Sequence, residues 1–477
     1  MIHKAASGGL PTAIAISPNN AVAIIASRYS DTPLHDDLYV RGWIEQAQRA
    51  GSLNTMLVPI NTINNWKQDA VSGDIGHDTG RFFSVIGVHC RHRVDRHEIE
   101  WDQPIIEQPE TGILGILTKS IGGVLHFCLQ AKEEPGNISG IQLSPTVQAT
   151  YSNYTGAHGG TTPPFLEQFI TPATERIIFA RLQTEDGGRF LYKSNRNMIV
   201  AADDDVPEAL PDSFIWLTLH QIVGLIARGN LVNACTRSIL SSTIFAASQS
   251  HEAVRHGEDV RTTTPDNVQE ELRSTLQWLD DRRAANHMLV RRIGLNGLRE
   301  WEIDAKGFFS HREKRFFRIV GLSVSSGTRE VRTWGQPIIE NPAAGIIGLL
   351  VRNSGHGLEV LMQAKAEAGN RSTVQLGPTV QFTQSNYEGS RKLVKPFLYD
   401  DFLEPARFRT IHESRQTEEG ARFYREYHLH RILMAPDGAD LQITPDYRWL
   451  PLEQVVVLLH LGEQVNSCAR SILSCLL

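Results

Sequence analysis

The feature that most constrains this sequence is an internal duplication. The stretch LQAKEEPGNISGIQLSPTVQATYSNYTGAHGG at residues 129–160 returns as MQAKAEAGNRSTVQLGPTVQFTQSNYEGS at residues 362–390, at a constant offset of 233 positions. At the same offset WDQPIIEQP matches WGQPIIENP, and NACTRSIL matches NSCARSIL. A repeated unit of more than about 200 residues has the size of a whole domain and not of a solenoid repeat. The sequence therefore predicts two related modules.

The duplication also sets the predicted domain boundaries in the chain of 477 residues. We expect an N-terminal extension at residues 1–35, a first module at 36–245, a linker at 246–268 and a second module at 269–477. The extension is mildly apolar, but prolines and asparagines interrupt it, so we predict that it is a loose segment. The linker is polar and has no sustained hydrophobic period.

Both modules have the same order of predicted elements. An amphipathic segment opens each module, strand-like runs such as FFSVIGVHC, TGILGILTK and GGVLHFCLQAK follow, and the turn signal EDGG lies inside a predicted hairpin. Helical patterns close the modules, in SFIWLTLHQIVGLIARGNLVNACTRSILSS and in RWLPLEQVVVLLHLGEQVNSCARSIL. The predicted fold class is therefore α+β, with strands in the middle and helices flanking them.

Composition narrows the class of protein. The formal net charge of −6 leaves no basic footprint for nucleic acid, and the longest clean apolar run near the N-terminus is too short to span a membrane. Five cysteines form no CxxC pair, and their odd number in a large chain favours reduced thiols over disulfides. We therefore expect a cytoplasmic protein that binds neither nucleic acid nor membrane.

Several familiar motifs are missing from the sequence. No GxGxxG, GxxxxGK[ST], GxSxG or HExxH motif is present. One segment, HCRHRVDRHEIEWD, gathers potential metal ligands at His89, Cys90, His92, Asp95, His97 and Glu98. Its counterpart in the second module has none of these ligand types, and a strand period would place them on both faces. We interpret this segment as a charged turn and predict no metal site.

The combination WxQPII, QAKxExGN and QLxPTVQxTxSNY, present in both modules, resembles the NDP-hexose 2,3-dehydratase family over nearly the whole chain. The resemblance implies a lyase that removes the C2 hydroxyl of dTDP-4-keto-6-deoxy-D-glucose and forms dTDP-3,4-diketo-2,6-dideoxy-D-glucose in deoxysugar and antibiotic biosynthesis. It also implies two Nudix-hydrolase-like mixed-sheet modules, a homodimer and no cofactor. The Nudix signature itself is absent from the sequence.

This substrate fixes the groups that the enzyme must supply. The C4 ketone acidifies the C3 proton, so a base can form an enolate, and the enolate expels the C2 hydroxyl when an acid protonates that oxygen. Residues unique to the first module are candidates for this chemistry, whereas residues present in both are candidates for fold maintenance or nucleotide binding. We therefore expect the active site in the first module and an auxiliary nucleotide site in the second.

The candidate residues fall into three sets. The predicted catalytic residues are His158, Tyr154, Glu133 and Lys132. The predicted substrate-binding residues are Trp101, Gln130, Gln142, Thr146, Gln148, Ser152, Asn153, Arg181, Gln183 and Arg189. The predicted auxiliary site consists of Trp334, Gln363, Lys365, Gln375, Gln381, Ser385, Asn386, Tyr387 and Arg422. Alternation along β-structure would place Gln142, Ser144, Thr146 and Gln148 on one polar face.

Two alternative functions remain open from the sequence. A Nudix-type pyrophosphohydrolase would cleave the diphosphate with a metal ion, and a non-catalytic nucleotide-sugar-binding protein would use the duplicated polar residues for recognition alone. Arg237 is a further candidate for an anion contact, but an arginine near a helix end more often has a structural role.

Overall fold

The computed structural model describes residues 16–94, 97–150, 162–247, 266–327, 331–355, 357–389, 393–436, 438–439 and 441–477. These residues form a mixed α+β fold in which strands dominate, as the sequence predicts. The thiols of Cys90, Cys128, Cys235, Cys468 and Cys475 are free. Among the helices of these ranges, none has the length and apolar character needed to cross a membrane.

The N-terminal part of the chain, up to the linker, contains five helices and thirteen strands within the described ranges. The helices are α1 (Pro18–Arg28), α2 (Asp37–Ala50), α3 (Glu167–Ile170), α4 (Leu219–Arg228) and α5 (Ala234–Leu240). The strands are β1 (Leu53–Val58), β2 (Trp66–Gln68), β3 (Ile75–His77), β4 (Ser84–Val94), β5 (His97–Glu107), β6 (Ile113–Ile121), β7 (Val124–Glu133), β8 (Ile141–Pro145), β9 (Val147–Ala149), β10 (Ile177–Thr184), β11 (Phe190–Leu191), β12 (Ser194–Ala201) and β13 (Phe214–Thr218).

The second module repeats this order. Its helices are α6 (Asp266–Ala285), α7 (Gln384–Tyr387), α8 (Tyr399–Leu403), α9 (Leu452–Leu461) and α10 (Ser467–Leu473). Its strands are β14 (His287–Arg292), β15 (Trp301–Ile303), β16 (Phe309–His311), β17 (Arg318–Ser326), β18 (Thr333–Glu340), β19 (Gly345–Asn353), β20 (Leu358–Ala366), β21 (Val374–Gly377), β22 (Val380–Phe382), β23 (Arg409–Thr417), β24 (Tyr427–Met434) and β25 (Tyr447–Pro451). Short 3₁₀ helices lie at Ile60–Thr62, Thr174–Arg176, Ser241–Ala247, Leu295–Gly297 and Ser474–Leu476.

Each module is built on a seven-stranded mixed sheet. In the first module the order is β10-β12-β6-β7-β13, with β8 paired to β7 and β9 paired to β6. The second module has the equivalent order, β23-β24-β19-β20-β25, with β21 and β22 in the corresponding places. One pair in each sheet is parallel, β12 with β6 and β24 with β19, while the other pairs are antiparallel. The predicted hairpin around EDGG is present as the antiparallel pair β10 and β12.

The two modules exchange strands. β1 of the first module pairs with β17 of the second, in register from Leu53 opposite Ser326 to Val58 opposite Gly321. In return, β14 of the second module pairs with β4 of the first, from His287 opposite Arg93 to Arg292 opposite Val88. A large hydrophobic core is also shared, because its buried side chains come from both modules. The sequence repeat therefore marks a unit of duplication, while the folded unit contains both copies.

The N-terminal segment corrects one prediction. Residues 18–28 form α1 and are not a loose extension, since Ala21, Ile24 and Ile25 are fully buried in the shared core. The Ser17 side chain caps the helix, and Pro18 occupies its first turn. Proline is favoured there because its missing N–H would have no helical partner anyway. Pro18 therefore begins a helix and does not interrupt the segment.

The closing segment of the first module also differs from its prediction. FIWLT forms the buried strand β13, and the helical structure begins only at Leu219, after a capping box made by Thr218 and Gln221. A continuous run of apolar residues fits a buried strand as well as a buried helix. The helical period that follows it was correctly recognised.

The charged segment around His89 is part of a long hairpin. β4 and β5 pair along their length, so the residues predicted to form a turn lie mainly in strands, and Asp95 lies outside the described residues. His89 Nδ1 is 2.6 Å from Asp102 Oδ1, and Arg299 Nε of the second module is 2.8 Å from Asp102 Oδ2. Within the parts of the chain that the structure describes, no group of three or more His, Cys, Asp or Glu residues is arranged to hold a metal ion.

The repeated GN motif lies where the modules meet. Gly136 N donates to Gly420 O at 2.7 Å, and reciprocally Gly369 N donates to Gly187 O at 2.7 Å. A Cβ atom on Gly136 would lie 1.8 Å from the carbonyl oxygen of Phe423. These positions therefore require glycine because another backbone approaches closely.

Replacing Gly136 with alanine is expected to lower the free energy of unfolding by about 3 kcal/mol, because the added methyl group overpacks the contact between the modules. Urea unfolding followed by circular dichroism measures this change. Gly42→Ala is the matched control: it lies in α2 with nothing within 4 Å of its Cβ position, so alanine should stabilise the helix by about 0.5–1 kcal/mol. Equal effects of the two substitutions would contradict the close contact.

Candidate active site

A cavity of about 170 Å³ lies between the two modules and is lined by residues of both. Its lining consists of Gln108, Gly112, Leu114, Lys132, Glu134, Gln148, Ala149, Thr150, Glu185, Phe190, Lys193, Asn195 and Cys235 from the first module, and Glu419, Ala421 and Arg422 from the second. We call it the first cavity. Three cationic and three carboxyl side chains meet in it, which is a charge density typical of functional sites.

Strand geometry explains which acidic residue reaches the first cavity. Lys132 and Glu134 line it, whereas Glu133 lies between them in sequence and lines a separate groove. Side chains of an extended chain alternate between faces, so neighbours point in opposite directions. Glu133 Oε1 instead accepts a hydrogen bond from Leu53 N at 3.0 Å, at the start of β1. The prediction that Glu133 shares the site with Lys132 is corrected, and Glu134 takes its place.

The hairpin of β10 and β12 supplies the opposite wall. Asn195 Nδ2 donates to Glu185 Oε1 at 2.6 Å, while Asn195 Oδ1 accepts from Gly112 N at 2.9 Å. Lys193 is only 5% exposed and donates to the carbonyl oxygen of Glu110. Burial lowers the pKa of Lys193 below its usual value, and the charge of Glu185 opposes that shift. Glu185, Lys193 and Asn195 are not among the site residues predicted from the sequence.

The arginine that follows the EDGG turn packs against the second module, and the arginine that follows the EEGA turn packs against the first. Arg422, predicted for the auxiliary site, lines the first cavity, stacks 4.2 Å above the Phe83 ring and donates to Gln108 Oε1 at 3.4 Å. Burial lowers its pKa from the usual value. Arg189, predicted for the first module, stacks 4.0 Å above the ring of Phe317 in the second module. Each turn therefore contributes its arginine to the other module.

The predicted polar face of β8 and β9 is only partly directed at the first cavity. Gln142 and Thr146 are 1% and 2% exposed, so they do not face solvent. Thr146 Oγ1 accepts from Leu117 N at 2.9 Å and donates to Cys128 O at 2.5 Å, which ties the bend between β8 and β9 to β6 and β7. Gln142 donates to Thr417 Oγ1 of the second module. Gln148 alone of this set lines the cavity.

The duplicated tryptophans have structural contacts. Trp101 Nε1 donates to Gln103 Oε1 at 2.8 Å, and Gln103 Nε2 donates to Gly188 O at 2.9 Å. Trp334 and Gln336 repeat this chain of bonds to Ala421 O, at 3.0 and 2.9 Å. The WxQ motif thereby holds the turn that precedes Arg189 or Arg422.

Three further predicted residues join the modules. Gln183 Nε2 donates to Leu459 O at 2.9 Å, and Arg181 donates to His460 O and to Ala180 O. Gln375 Nε2 donates to Glu463 O at 2.7 Å, and its Oε1 accepts from Thr184 at 2.9 Å. Through these contacts the three side chains connect the two modules.

Some of the remaining predicted site residues lie outside the described parts of the chain, and the others lie within them. Ser152, Asn153, Tyr154 and His158 lie outside the described residues. In the second module Asn386 Oδ1 accepts from Phe316 N at 3.1 Å, and Tyr387 packs against Phe382 and Tyr399. Ser385 is exposed, and Gln130, Gln363, Lys365 and Gln381 are half-buried.

The electrostatics of the first cavity centre on Glu419. Burial raises the pKa of Glu419 to about 8, and the neighbouring charge of Glu134 adds to this effect. Arg422 and Lys132 oppose the shift. Lys132 Nζ also lies 3.1 Å from Glu134 Oε1, so the cavity holds one ion-paired carboxylate beside one carboxyl group that is protonated near neutral pH. The arrangement can both accept and donate a proton.

Comparisons with known proteins agree on one activity. A family model described as NDP-hexose 2,3-dehydratase matches residues 37–243 and 272–476. A protein from Amycolatopsis orientalis named dTDP-4-dehydro-6-deoxy-alpha-D-glucopyranose 2,3-dehydratase is 38% identical over 441 residues, which covers 92% of this chain and 89% of that protein. Proteins with the same name from Saccharopolyspora spinosa (36% identical, 91% and 90% covered) and Streptomyces violaceoruber (33% identical, 91% and 95% covered) also match.

Proposed function

The chain belongs to the NDP-hexose 2,3-dehydratase family, and we propose that its first cavity is the active site in which dTDP-4-keto-6-deoxy-D-glucose loses its C2 hydroxyl. The product is dTDP-3,4-diketo-2,6-dideoxy-D-glucose, an intermediate of deoxysugar biosynthesis. We choose this cavity because Glu134, Glu419 and Lys132 all line it. Elimination next to a ketone needs a base, an acid and a cation, and these side chains can supply them.

The cationic side chains of the first cavity have two proposed roles, enolate stabilisation and diphosphate binding. Lys132 is half-buried and can stabilise the enolate oxygen that develops on C4, because a charge is worth more in a water-poor site than in bulk solvent. Arg422 and Lys193 are candidates for the diphosphate, since guanidinium and ammonium groups bind phosphate oxygens. No step of this elimination requires an external oxidant or reductant, because the sugar's own carbon skeleton carries the electrons.

Four features implied by the family resemblance remain proposals. We propose that the modules have a Nudix-hydrolase-like fold, that two chains form a homodimer, that the protein works in the cytoplasm, and that the second module holds an auxiliary nucleotide. Lys365 and Gln381, the counterparts of Lys132 and Gln148, support the auxiliary site because both are half-buried at equivalent places. The roles of His158 and Tyr154 as acid or base stay predictions from the sequence.

The test is to incubate the purified protein with dTDP-4-keto-6-deoxy-D-glucose, with and without EDTA, and to follow the sugar nucleotide by mass spectrometry. We expect loss of one water with the diphosphate intact, at the same rate with EDTA. Release of dTMP only in the presence of a divalent metal would instead identify a pyrophosphohydrolase. Binding without any change of mass would identify a nucleotide-sugar-binding protein.

A further inference from the structure

Two carboxyl groups of the first cavity share a single amide donor. Gln148 Nε2 lies 2.8 Å from Glu419 Oε1 and 3.3 Å from Glu134 Oε1. Glu134 follows the last residue of β7 in the first module, whereas Glu419 lies in the turn between β23 and β24 of the second. The pair is therefore assembled only when the two modules pack together. We call Glu134 and Glu419 the carboxyl pair.

Glu134 and Glu419 have different electrostatic neighbours. Lys132 Nζ forms an ion pair with Glu134 at 3.1 Å. Glu419 faces Glu134 and Glu185 as negative neighbours and Lys132 and Arg422 as positive ones, and burial is the largest influence on it. Glu134 is therefore held in an ion pair, while burial raises the pKa of Glu419 to about 8 and favours its protonated form near neutral pH.

The carboxyl pair is also incompletely bonded. Glu134 is 6% exposed, and its Oε2 is buried with no hydrogen-bond partner among the residues that the structure describes; Gln148 Oε1 is in the same condition. A buried carboxylate oxygen without a donor is costly. A ligand that brings a hydroxyl or an acidic C–H group to this point would relieve that cost, and a hexose ring carries both.

The second module lacks this arrangement although it contains the equivalent residues. Glu367 is the counterpart of Glu134, and one of its oxygens accepts from Asn370 Nδ2 at 3.1 Å and from Asn466 Nδ2 at 3.4 Å. Gln381 Nε2 lies 3.5 Å from Glu367 Oε1. The counterpart of Glu419 is Asp186, whose side chain is one methylene shorter and caps its own turn through Gly188 N at 2.8 Å. In the second module, side-chain amides thus donate hydrogen bonds to Glu367, whereas one oxygen of its counterpart Glu134 has no donor among the described residues of the first cavity.

We propose that Glu134 is the base that removes the C3 proton and that Glu419, contributed by the second module, is the acid that protonates the departing C2 oxygen. This inference rests on the dehydratase function proposed above. Glu134 takes the C3 proton, and the electrons of the C3–H bond form the enolate of the C4 ketone. The enolate re-forms the ketone while the C2–O bond breaks, and the departing oxygen leaves as water with the proton of Glu419.

The same two groups can restore themselves. The elimination leaves an enol at C3, with Glu134 protonated and Glu419 ionised. Glu134 returns its proton to C2, and Glu419 takes the proton of the C3 enol oxygen as the C3 ketone forms. The net change is the loss of one water from the sugar, and both side chains regain their starting states.

The test separates the two proton transfers in D₂O. Proton NMR follows exchange of the C3 proton, and mass spectrometry follows water loss. We expect Glu419→Gln to lower the rate of dehydration by about 10²- to 10⁴-fold while C3 exchange persists, because only the acid is removed. Glu134→Gln is expected to lower both exchange and dehydration by about 10²- to 10⁴-fold, because the base of the first step is removed. Asp186→Asn, the matched substitution at the counterpart of Glu419, is expected to retain both activities.

Each other outcome has a definite meaning. If the wild-type protein does not dehydrate the substrate, the proposed function fails, and the carboxyl pair fails with it. If the wild-type protein dehydrates it and Glu419→Gln does so equally well, the function stands and the acid assignment is wrong. Loss of C3 exchange in Glu419→Gln with exchange kept in Glu134→Gln would reverse the two roles. Should Glu419→Gln not fold, Glu419→Asp, which withdraws the carboxyl by one methylene, provides the same comparison in weaker form.

Discussion

Residues 1–250 and residues 251–477, expressed separately, are each expected to be unfolded and inactive. Each half lacks a strand that the other supplies. Without β14, one edge of β4 in the first half is unpaired, and without β1, one edge of β17 in the second half is unpaired. The shared core would also be opened to water, because side chains of both modules pack in it. Exposed apolar surface and unpaired strand edges favour aggregation over folding.

Co-expression of the two halves is the control for this prediction. We expect the halves to purify as a complex with native circular dichroism and with dehydratase activity, because the strand exchange and the first cavity form between them. Size-exclusion chromatography and the mass-spectrometric assay measure both properties. A first half that unfolds cooperatively as a monomer and dehydrates the substrate alone would show that the modules are independent, contrary to this account.

Replacing Arg237 with methionine is expected to lower the free energy of unfolding by about 2–5 kcal/mol. The side chain is fully buried, and its guanidinium donates to Ser471 Oγ at 3.0 Å, Val232 O at 2.5 Å and Thr417 O at 2.7 Å. Methionine fills a similar volume but donates no hydrogen bond, so two buried carbonyl oxygens lose their partner. Two of the three contacts join the modules, as the structural role expected for this arginine implies.

Urea unfolding at neutral pH measures the effect of Arg237→Met. Arg49→Met is a suitable control, because the Arg49 side chain is 72% exposed and a surface substitution usually changes stability by less than about 0.5 kcal/mol. Arg237→Lys should fall between the two, since an ammonium group cannot reproduce the planar set of donors. A loss below about 1 kcal/mol in Arg237→Met would indicate that the carbonyl oxygens find other partners.

Local patterns predicted most of the elements but not their partners. The alternating runs became β4, β6, β7, β8 and β9, and the EDGG signal marked a real hairpin. Strand propensity is a property of a few neighbouring residues, whereas the choice of sheet depends on packing between distant parts of the chain. The exchange of β1 and β14 is therefore invisible in a sequence read one module at a time.

A comparison of the two copies points to only some of the residues that line the first cavity. Lys132 and Gln148, predicted as site residues, line the first cavity, whereas Glu134 is kept in the second copy as Glu367 and therefore does not stand out among the residues unique to the first module. The structure places the difference elsewhere: the turn of the second module brings Glu419 and Arg422 into the first cavity. A residue contributed across an interface has no signal in the sequence around the site that it completes.

The most direct test of the account is the turnover number of the double variant Glu134→Gln/Glu419→Gln beside those of the two single variants. Removal of the C3 proton and departure of the C2 oxygen are successive steps, so the slower step limits turnover, and we expect the double variant to be about as slow as the slower single variant. Losses that multiply, so that the double variant is slower by the product of the two single effects, would show that both carboxyl groups act in the same step and would contradict their assignment to successive proton transfers.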